Sequence, residues 1–569
     1  MSASAETVIT ARIRPELFEK RGLQIRSRTL ILAALAIITL LGFGFRAAQL
    51  SAEGLSEDEL NKLQAVEEYR RHGLSSVNGE HPFLMKALMT MSVVAAERWN
   101  ASSLAAGHPS AQVATETALR LPSTIFGAAT ALLIFLLVSE LFGTEIALIS
   151  AALWALDPTA ISFNRIAKED TFLLFFFLLA NVFWLKSQRV AESKGNPEPL
   201  YWATAASYGA MMASKYMPHL MAVGVSYYYI FQGIPQTRWR MGKKRFLIFF
   251  AVMGAVFLVC NPTILLPGTW HEMRIFAGEK RIGHGSYEFM GTLYLNQMSL
   301  WLKGMPWYFY YVFMGIKLPL TTLAAFLIGL PLLFRKRLGD GRFFIFFWML
   351  YWFMPFTFMG GKYTRYFTTA LPVVLITAAI GLHFVAQSLA RSLSAAFKNE
   401  RIGAMARAGL IAFVLTAVVC AAASALPYYR LYTNALGEGL AQVGSYFPHD
   451  EFYDASVRNT AQEVARMSRP GARVASETPG LFDYYARVAG RSDLVSVSLS
   501  DEEAMKAMGA GDVVIVARGR RYLTNDAFIS ALETRLAPAA TVSLGEVQSV
   551  KIFVLDKAPV EIVARNPGR

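Results

Sequence analysis

Long apolar runs separated by short polar segments fill the first three quarters of the chain. They lie at roughly 29–50, 121–142, 145–162, 169–186, 200–214, 217–233, 246–266, 307–334, 343–358, 366–388 and 408–427. A helix needs about 20 apolar residues to cross the hydrocarbon, so the pattern predicts an α-helical polytopic membrane protein with about eleven transmembrane helices. The runs at 145–162 and 200–214 are short, and fit tilted, re-entrant or partly buried segments. The first run is too long for a signal-peptide core and lacks a convincing cleavage site, which makes it a retained span. Beyond about 428 the pattern changes. VSVSL, DVVIVAR and KIFVLD read as short strands, and they alternate with helical DEEAMKAM and NDAFISALETRL. That alternation predicts a small soluble α/β domain. The expected organisation is therefore an N-terminal segment 1–28, a transmembrane unit 29–427 with long loops at 51–120 and 267–306, and the α/β domain 428–569. Within the first loop, Pro82–Trp99 reads as an amphipathic, interfacial helix.

Charge fixes a direction. Arg12, Arg14, Lys20, Arg21, Arg26 and Arg28 precede the first run and place the N-terminus inside. Counting onward, the inside loops are 187–199, 234–245, 335–342 and 389–407, and basic clusters sit in or beside each: Lys186–Arg189, Arg238–Arg245, Arg335–Arg337, and Arg391 to Arg407. The loops 51–120 and 267–306 and the C-terminal domain then lie outside, which in a bacterial inner membrane is the periplasmic face. Only 17% of the residues are charged, against about a quarter in soluble domains. The net charge of +14 is explained by these inside loops, so nucleic acid is not an expected partner. Cys260 and Cys420 each sit in an apolar run and imply no disulfide framework.

The polar residues on the outer face carry the candidate chemistry. Glu57, Asp58 and Glu59 follow the first span, and Glu80, His81 and Lys86 belong to a GEHPFLMK stretch of the same loop. FNRIAKED packs Arg165, Lys168, Glu169 and Asp170 into the turn between the third and fourth spans. Acids near helix N-termini also suit the helix dipole. Arg120, Lys215, His284, Lys317, Lys362 and Arg365 add cations to that face. Long basic side chains at interfaces commonly snorkel. Two acidic clusters together with several cations nevertheless suit an anionic lipid head and a proton-accepting base. In the C-terminal domain, Thr478–Gly490 offers aromatics suited to stacking on sugar or to a packed helix–strand junction. No GxGxxG fingerprint supports nucleotide binding there.

The acidic pair, G-E-H-P-x-L-x-K, ALRLPSTIFGA, NRIAKED, HGSYEFMG, PWYFYY…IKLPL and KYTRYFTTALP occur in this order. Over roughly residues 30–390 the set resembles the protein O-mannosyltransferase superfamily of GT-C glycosyltransferases, which includes the lipid A aminoarabinose transferases. The chain departs from the family in three places: SE precedes the acidic pair where an aromatic residue is frequent, HPF replaces HPP, and no MIR-like segment is seen. The resemblance implies a GT-C fold and a polyprenyl-phosphate sugar donor. It makes Asp58 the catalytic base, with Glu59 and Asp170 as catalytic or positioning residues. Arg120, Arg165, Lys215, His284, Lys317, Lys362 and Arg365 become candidate ligands of the donor phosphate or substrate. A divalent metal is known near the corresponding loop in the aminoarabinose branch. Here Glu80 and His81 would need His271 or His284 to complete such a site, and helix capping and substrate contact are their competing roles. The expected reaction is inverting transfer of a sugar, mannose among the candidates, to a protein Ser/Thr hydroxyl. Lipid A or another envelope glycan is the alternative acceptor. A lipid transporter or flippase is the alternative of a different class, disfavoured because the charges gather at one face instead of the midplane.

Overall fold

The protein is described by a computed structural model over residues 24–228, 243–278 and 285–558. Among these residues five helices are long and apolar enough to cross a membrane: Arg28–Ala47, Pro109–Phe142, Glu169–Glu192, Leu371–Phe397 and Glu400–Ala425. A sixth candidate is the pair Thr144–Leu156 and Pro158–Asn164, bent by 61°. Of the other expected spans, 200–214, 246–266 and 343–358 fall on the shorter helices Glu198–Met212, Lys243–Cys260 and Gly341–Phe358, and 217–233 extends outside the described residues. The run read as one span at 307–334 is two helices, Phe309–Lys317 and Leu320–Leu332. Pro319 is the reason, since it lacks an amide donor and drives Leu318 out of the helical region. Where Leu320–Leu332 crosses Leu371–Phe397, only a glycine fits: a Cβ on Gly329 would lie 2.0 Å from the Thr377 carbonyl oxygen.

The bend at Asp157 and Pro158 follows from local chemistry. Proline starts the second piece, and the Asp157 side chain accepts the Ala160 N–H at 3.0 Å as its cap. The carbonyls freed at the bend are taken by Arg46 of the first span, which donates to Ala155 O at 2.7 Å and Trp154 O at 3.0 Å. Arg46 also reaches Asn164 Oδ1, so a fully buried guanidinium keeps its donors satisfied. The bend delivers residues 165–170 to the end of the bundle, where the polar groups collect.

The loop after the first span forms helices Glu57–His72 and Phe83–Asn100. The latter buries Met85, Lys86, Met89 and Val93, close to the amphipathic segment expected at Pro82–Trp99. A hairpin of β1 (Ser286–Phe289) and β2 (Thr292–Leu295) follows the short helices of the second long loop. The C-terminal residues hold β3 (Arg473–Ser476), β4 (Val495–Ser498), β5 (Val513–Ala517), β6 (Ala540–Leu544) and β7 (Val547–Val554) in the order β4-β3-β5-β7-β6. β3 runs parallel to β4 and β5, while β7 runs antiparallel to β5 and β6. The strands read from VSVSL, DVVIVAR and KIFVLD are β4, β5 and part of β7. One continuous core joins Leu60, Leu63 and Met85 of the loop helices to Phe172 of the bundle and to Val474, Phe482 and Ile552 of this unit. The C-terminal sheet is thereby packed onto the loop that carries Asp58.

Candidate active site

A capping box starts the helix that bears the acidic residues. Ser56 Oγ accepts the Glu59 N–H at 3.3 Å, and Glu59 Oε2 accepts the Ser56 N–H at 3.0 Å. This turns Glu59 inward, where Arg120 donates to both its oxygens at 2.8 and 2.6 Å and Ala167 N–H adds a bond at 3.0 Å. The remaining Arg120 donors go to the carbonyls of Leu50, Glu53 and Gly54. Arg165 similarly spends its guanidinium on the carbonyls of Phe45, Arg46, Ala48 and Gln49 at the end of the first helix. The two arginines lock loop, bundle and turn together.

That lock sets the partners of Asp58. Its Oδ2 meets Lys168 Nζ at 2.6 Å and Arg365 Nη1 at 3.2 Å, and accepts a short bond from the Tyr453 hydroxyl. All three meet Oδ2, and the side chain keeps 32% of its accessible surface. Burial alone would raise this carboxyl. Lys168, Arg365 and Lys62 instead hold it well below the usual carboxylate range. The rest of the turn is tied in order: Glu169 pairs with Lys62 at 3.0 Å and His81 Nδ1 at 3.2 Å, and Asp170 pairs with Lys215 at 2.6 Å. Burial keeps His81 well below its ordinary value against the pull of Glu169, so its ring is neutral near pH 7.

Asp58 opens into a cavity of about 1020 Å³. Its charged lining includes Glu57, Lys168, Lys215, Arg365 and Arg520. Its apolar lining comes from other elements, with Met273, Phe276, Met298, Trp301 and Met354. Several of these are open to the surroundings, Trp301 at 54% and Met354 at 61%. Lys215 and Arg365 both lie against the Tyr366 ring. A cavity with this division can hold a molecule with an anionic head and an apolar tail.

The structure separates the expected site residues. Asp58, Glu80, His81, Lys215 and Arg365 line the cavity. Arg120, Arg165 and Lys362, expected as phosphate or substrate ligands, do not, because backbone carbonyls and Glu59 absorb their donors. Lys362 is fully buried and bonds Met305, Thr357 and Met359 carbonyls. Lys317 ends its helix at the break, pairs with Glu451 at 2.6 Å and lines a smaller cavity behind Arg365 and Tyr453. Lys86 supports the turn before His81 by donating to Asn78 O at 2.7 Å, and burial lowers its ammonium to about 7. Asp170 touches Lys215 but not the cavity. His284 lies outside the described residues. His271 is exposed on helix Pro267–Gly278. Glu80 accepts from Asn78, its Oε1 lies 4.0 Å from His81 Nε2, and no group of three or more His, Cys, Asp or Glu among the described residues is placed to hold a metal ion.

Sequence reasoning passed over Tyr453, Asp454, Arg520 and Tyr522, which enter the cavity from the C-terminal unit. Asp454 and Arg520 form an ion pair there, and Asp454 accepts the Glu57 N–H at 3.1 Å. No local signal marks them, because their importance comes from docking the sheet unit on the loop.

Comparison with known proteins agrees with this architecture. The dolichyl-phosphate-mannose-protein mannosyltransferase family matches residues 110–265. No curated protein matches the sequence. ArnT from Cupriavidus metallidurans in the apo state superimposes with a TM-score of 0.52 at 14% identity, over 93% of this chain and 98% of that one. The Archaeoglobus fulgidus oligosaccharyltransferase in the apo form gives 0.51 at 12% identity, over 87% of this chain and 70% of that one. The chain thus shares its fold with these membrane enzymes, and its segment 110–265 is similar to the dolichyl-phosphate-mannose-protein mannosyltransferase family.

Proposed function

We propose that the protein moves a sugar, with mannose as first candidate, from a polyprenyl-phosphate donor to a hydroxyl, with protein Ser/Thr as first acceptor, by inverting displacement. The observation that carries this reading is the one cavity in which Asp58, bridged to Lys168 and Arg365, shares space with an accessible apolar lining. The matched family is described by a dolichyl-phosphate-mannose donor, a molecule of this two-part shape. The lipid tail lies against Met298, Trp301 and Met354, and the phosphate meets Lys215 and Arg365. The acceptor oxygen attacks the anomeric carbon on the face opposite the phosphate, with Asp58 as the general base that accepts the hydroxyl proton. The bond to the phosphate oxygen breaks, and its electron pair stays on a group that the cations stabilise, so no strong general acid is required.

In this reading about eleven crossings carry the chain, the N-terminus lies inside, and the site and the C-terminal α/β unit face the periplasmic or outer side of a bacterial inner membrane. The core shared by the C-terminal sheet and the 57–100 helices supports placing both on one side. The test supplies purified protein in nanodiscs with polyprenyl-phosphate mannose, a Ser/Thr-rich peptide and lipid A. Mannosyl peptide with stoichiometric polyprenyl phosphate is expected. Sugar on lipid A would redirect the acceptor, and lipid crossing the bilayer with no phosphate release would make the protein a flippase.

A further inference from the structure

Glu57 has no part in the reading above. It is the first residue of helix Glu57–His72, directly after the Ser56 cap and directly before Asp58. It lines the same cavity as Asp58, and its side chain is 47% exposed. Its nearest cation is Arg520, at 3.4 Å, and that guanidinium is already committed to Asp454. The charged groups that face it are Asp58 on its own helix, Asp454 after helix Pro448–Phe452, Arg520 after β5 and Glu477 after β3. A site acid is thus bracketed by one cation and three further acids, and all of these except Asp58 belong to the C-terminal unit.

Its place in the first turn also puts Glu57 under the helix dipole. The dipole at a helix N-terminus favours the charged carboxylate. Partial desolvation against the C-terminal unit pushes the Glu57 carboxyl up to about 6 although the side chain stays half exposed, with Arg520 opposing and Asp454, Asp58 and Glu477 adding to the rise. Asp58 is pushed the other way by its cations. Adjacent carboxyls driven apart by their surroundings hold a proton unequally.

We propose that Glu57 is the carboxylate on which the acceptor proton comes to rest, while Asp58 engages the hydroxyl and passes the proton on. The assignment rests on the sugar-transfer reading. The acceptor oxygen bonds to the anomeric carbon, the bond from that carbon to the phosphate oxygen breaks with its electron pair going to the phosphate, and the proton leaves through Asp58 to Glu57. Asp58 is a weak proton store because three donors stabilise its charge. Glu57 is half exposed, loosely paired and near the working pH, where a base is most effective. Asp454 and Arg520 tune it, which gives the C-terminal unit a share in the chemistry.

The test is single-turnover transfer by the full-length protein in nanodiscs between pH 4.5 and 8.5, using radiolabelled polyprenyl-phosphate mannose, glucose and aminoarabinose with the peptide and lipid A. Wild-type transfer should fall on the acidic side with a midpoint near 6. Glu57→Gln should lose about ten- to a hundredfold at pH 7.5 and lose that midpoint, and Glu57→Asp should restore most of the rate. Asp454→Asn should move the midpoint down by about one pH unit, since it removes a like charge. Glu57→Gln transferring within threefold of wild type with an unchanged acidic limb overturns the assignment and leaves the sugar-transfer reading standing. A wild type inert with every donor overturns the sugar-transfer reading. The carboxyl itself is then read by infrared difference spectra of wild type against Glu57→Gln, where titration below about 4.5, the ordinary glutamate range, removes the tuned carboxylate.

Discussion

The wall behind the cavity and the face of the cavity are built from the same residue types. In the wall, Glu59 is saturated by Arg120, Ala167 and Ser56, and Arg165 and Lys362 are spent on carbonyls. On the face, Asp58 holds Lys168, Arg365 and Tyr453 at one oxygen and stays partly exposed, while Glu57 is loosely paired. Asp58 and Glu59 are consecutive residues, yet the helix turns one outward and the other inward. Wall charges are architecture, since removing one partner leaves the other buried and uncompensated. Face charges keep capacity for a ligand, which is why they can do chemistry.

The comparison breaks most visibly at Asp58. Asp58→Asn should fold and bind donor but lose about a hundredfold or more in single-turnover transfer with saturating donor, the contribution of a positioned base. Near-normal transfer would remove the face from the reaction. Arg120→Met strikes the wall. It should cost about 3–5 kcal/mol of stability by stranding Glu59, read as a fall in melting temperature in nanodiscs. A variant that stays fully stable but loses transfer would move Arg120 to the face. Lys215→Met should raise the donor concentration needed for half-maximal rate by about tenfold, equivalent to one charge-assisted contact, with kcat less changed. Equal loss in kcat and kcat/KM would make Lys215 a transition-state group instead.

The smallest effect carries a sign. Asp58, with a folded pKa below its unfolded value, adds stability above the unfolded value that is lost as pH falls through the folded one, in strongly acidic solution. Glu57 has its folded pKa raised to about 6, so its ionisation costs stability above 6 and the cost disappears below the ordinary glutamate value. Its partial exposure discounts the size. Glu57→Gln should therefore raise the melting temperature by about 1–2 °C at pH 7.5 and leave it unchanged at pH 4. Destabilisation at pH 7.5 would place Glu57 in the wall.

Much of the site was legible because it is written locally. The spans Arg28–Ala47 and Glu400–Ala425 stand out by apolar length alone, and the NRIAKED turn announces itself by charge between two apolar runs. The break at Pro319 was also available in the sequence, but the continuous apolar pattern on both sides masked it. β3, with only Arg473–Ser476, is too short to show alternation and forms because β4 and β5 pair with it on either side.

By itself the sequence determined a helical membrane chain, the apolar segments, and a cluster of acids and cations near the ends of particular spans, because period, length and charge are local quantities. Only the tertiary structure decided which charges face the cavity. Arg120, Arg165 and Lys362 look like ligands until the carbonyls that packing brings within reach absorb them, whereas Tyr453, Asp454 and Arg520 look ordinary until the sheet unit docks against Leu60 and Leu63. A side chain's type is set by the sequence. Whether its hydrogen-bonding capacity remains for a substrate depends on every partner that packing brings within reach.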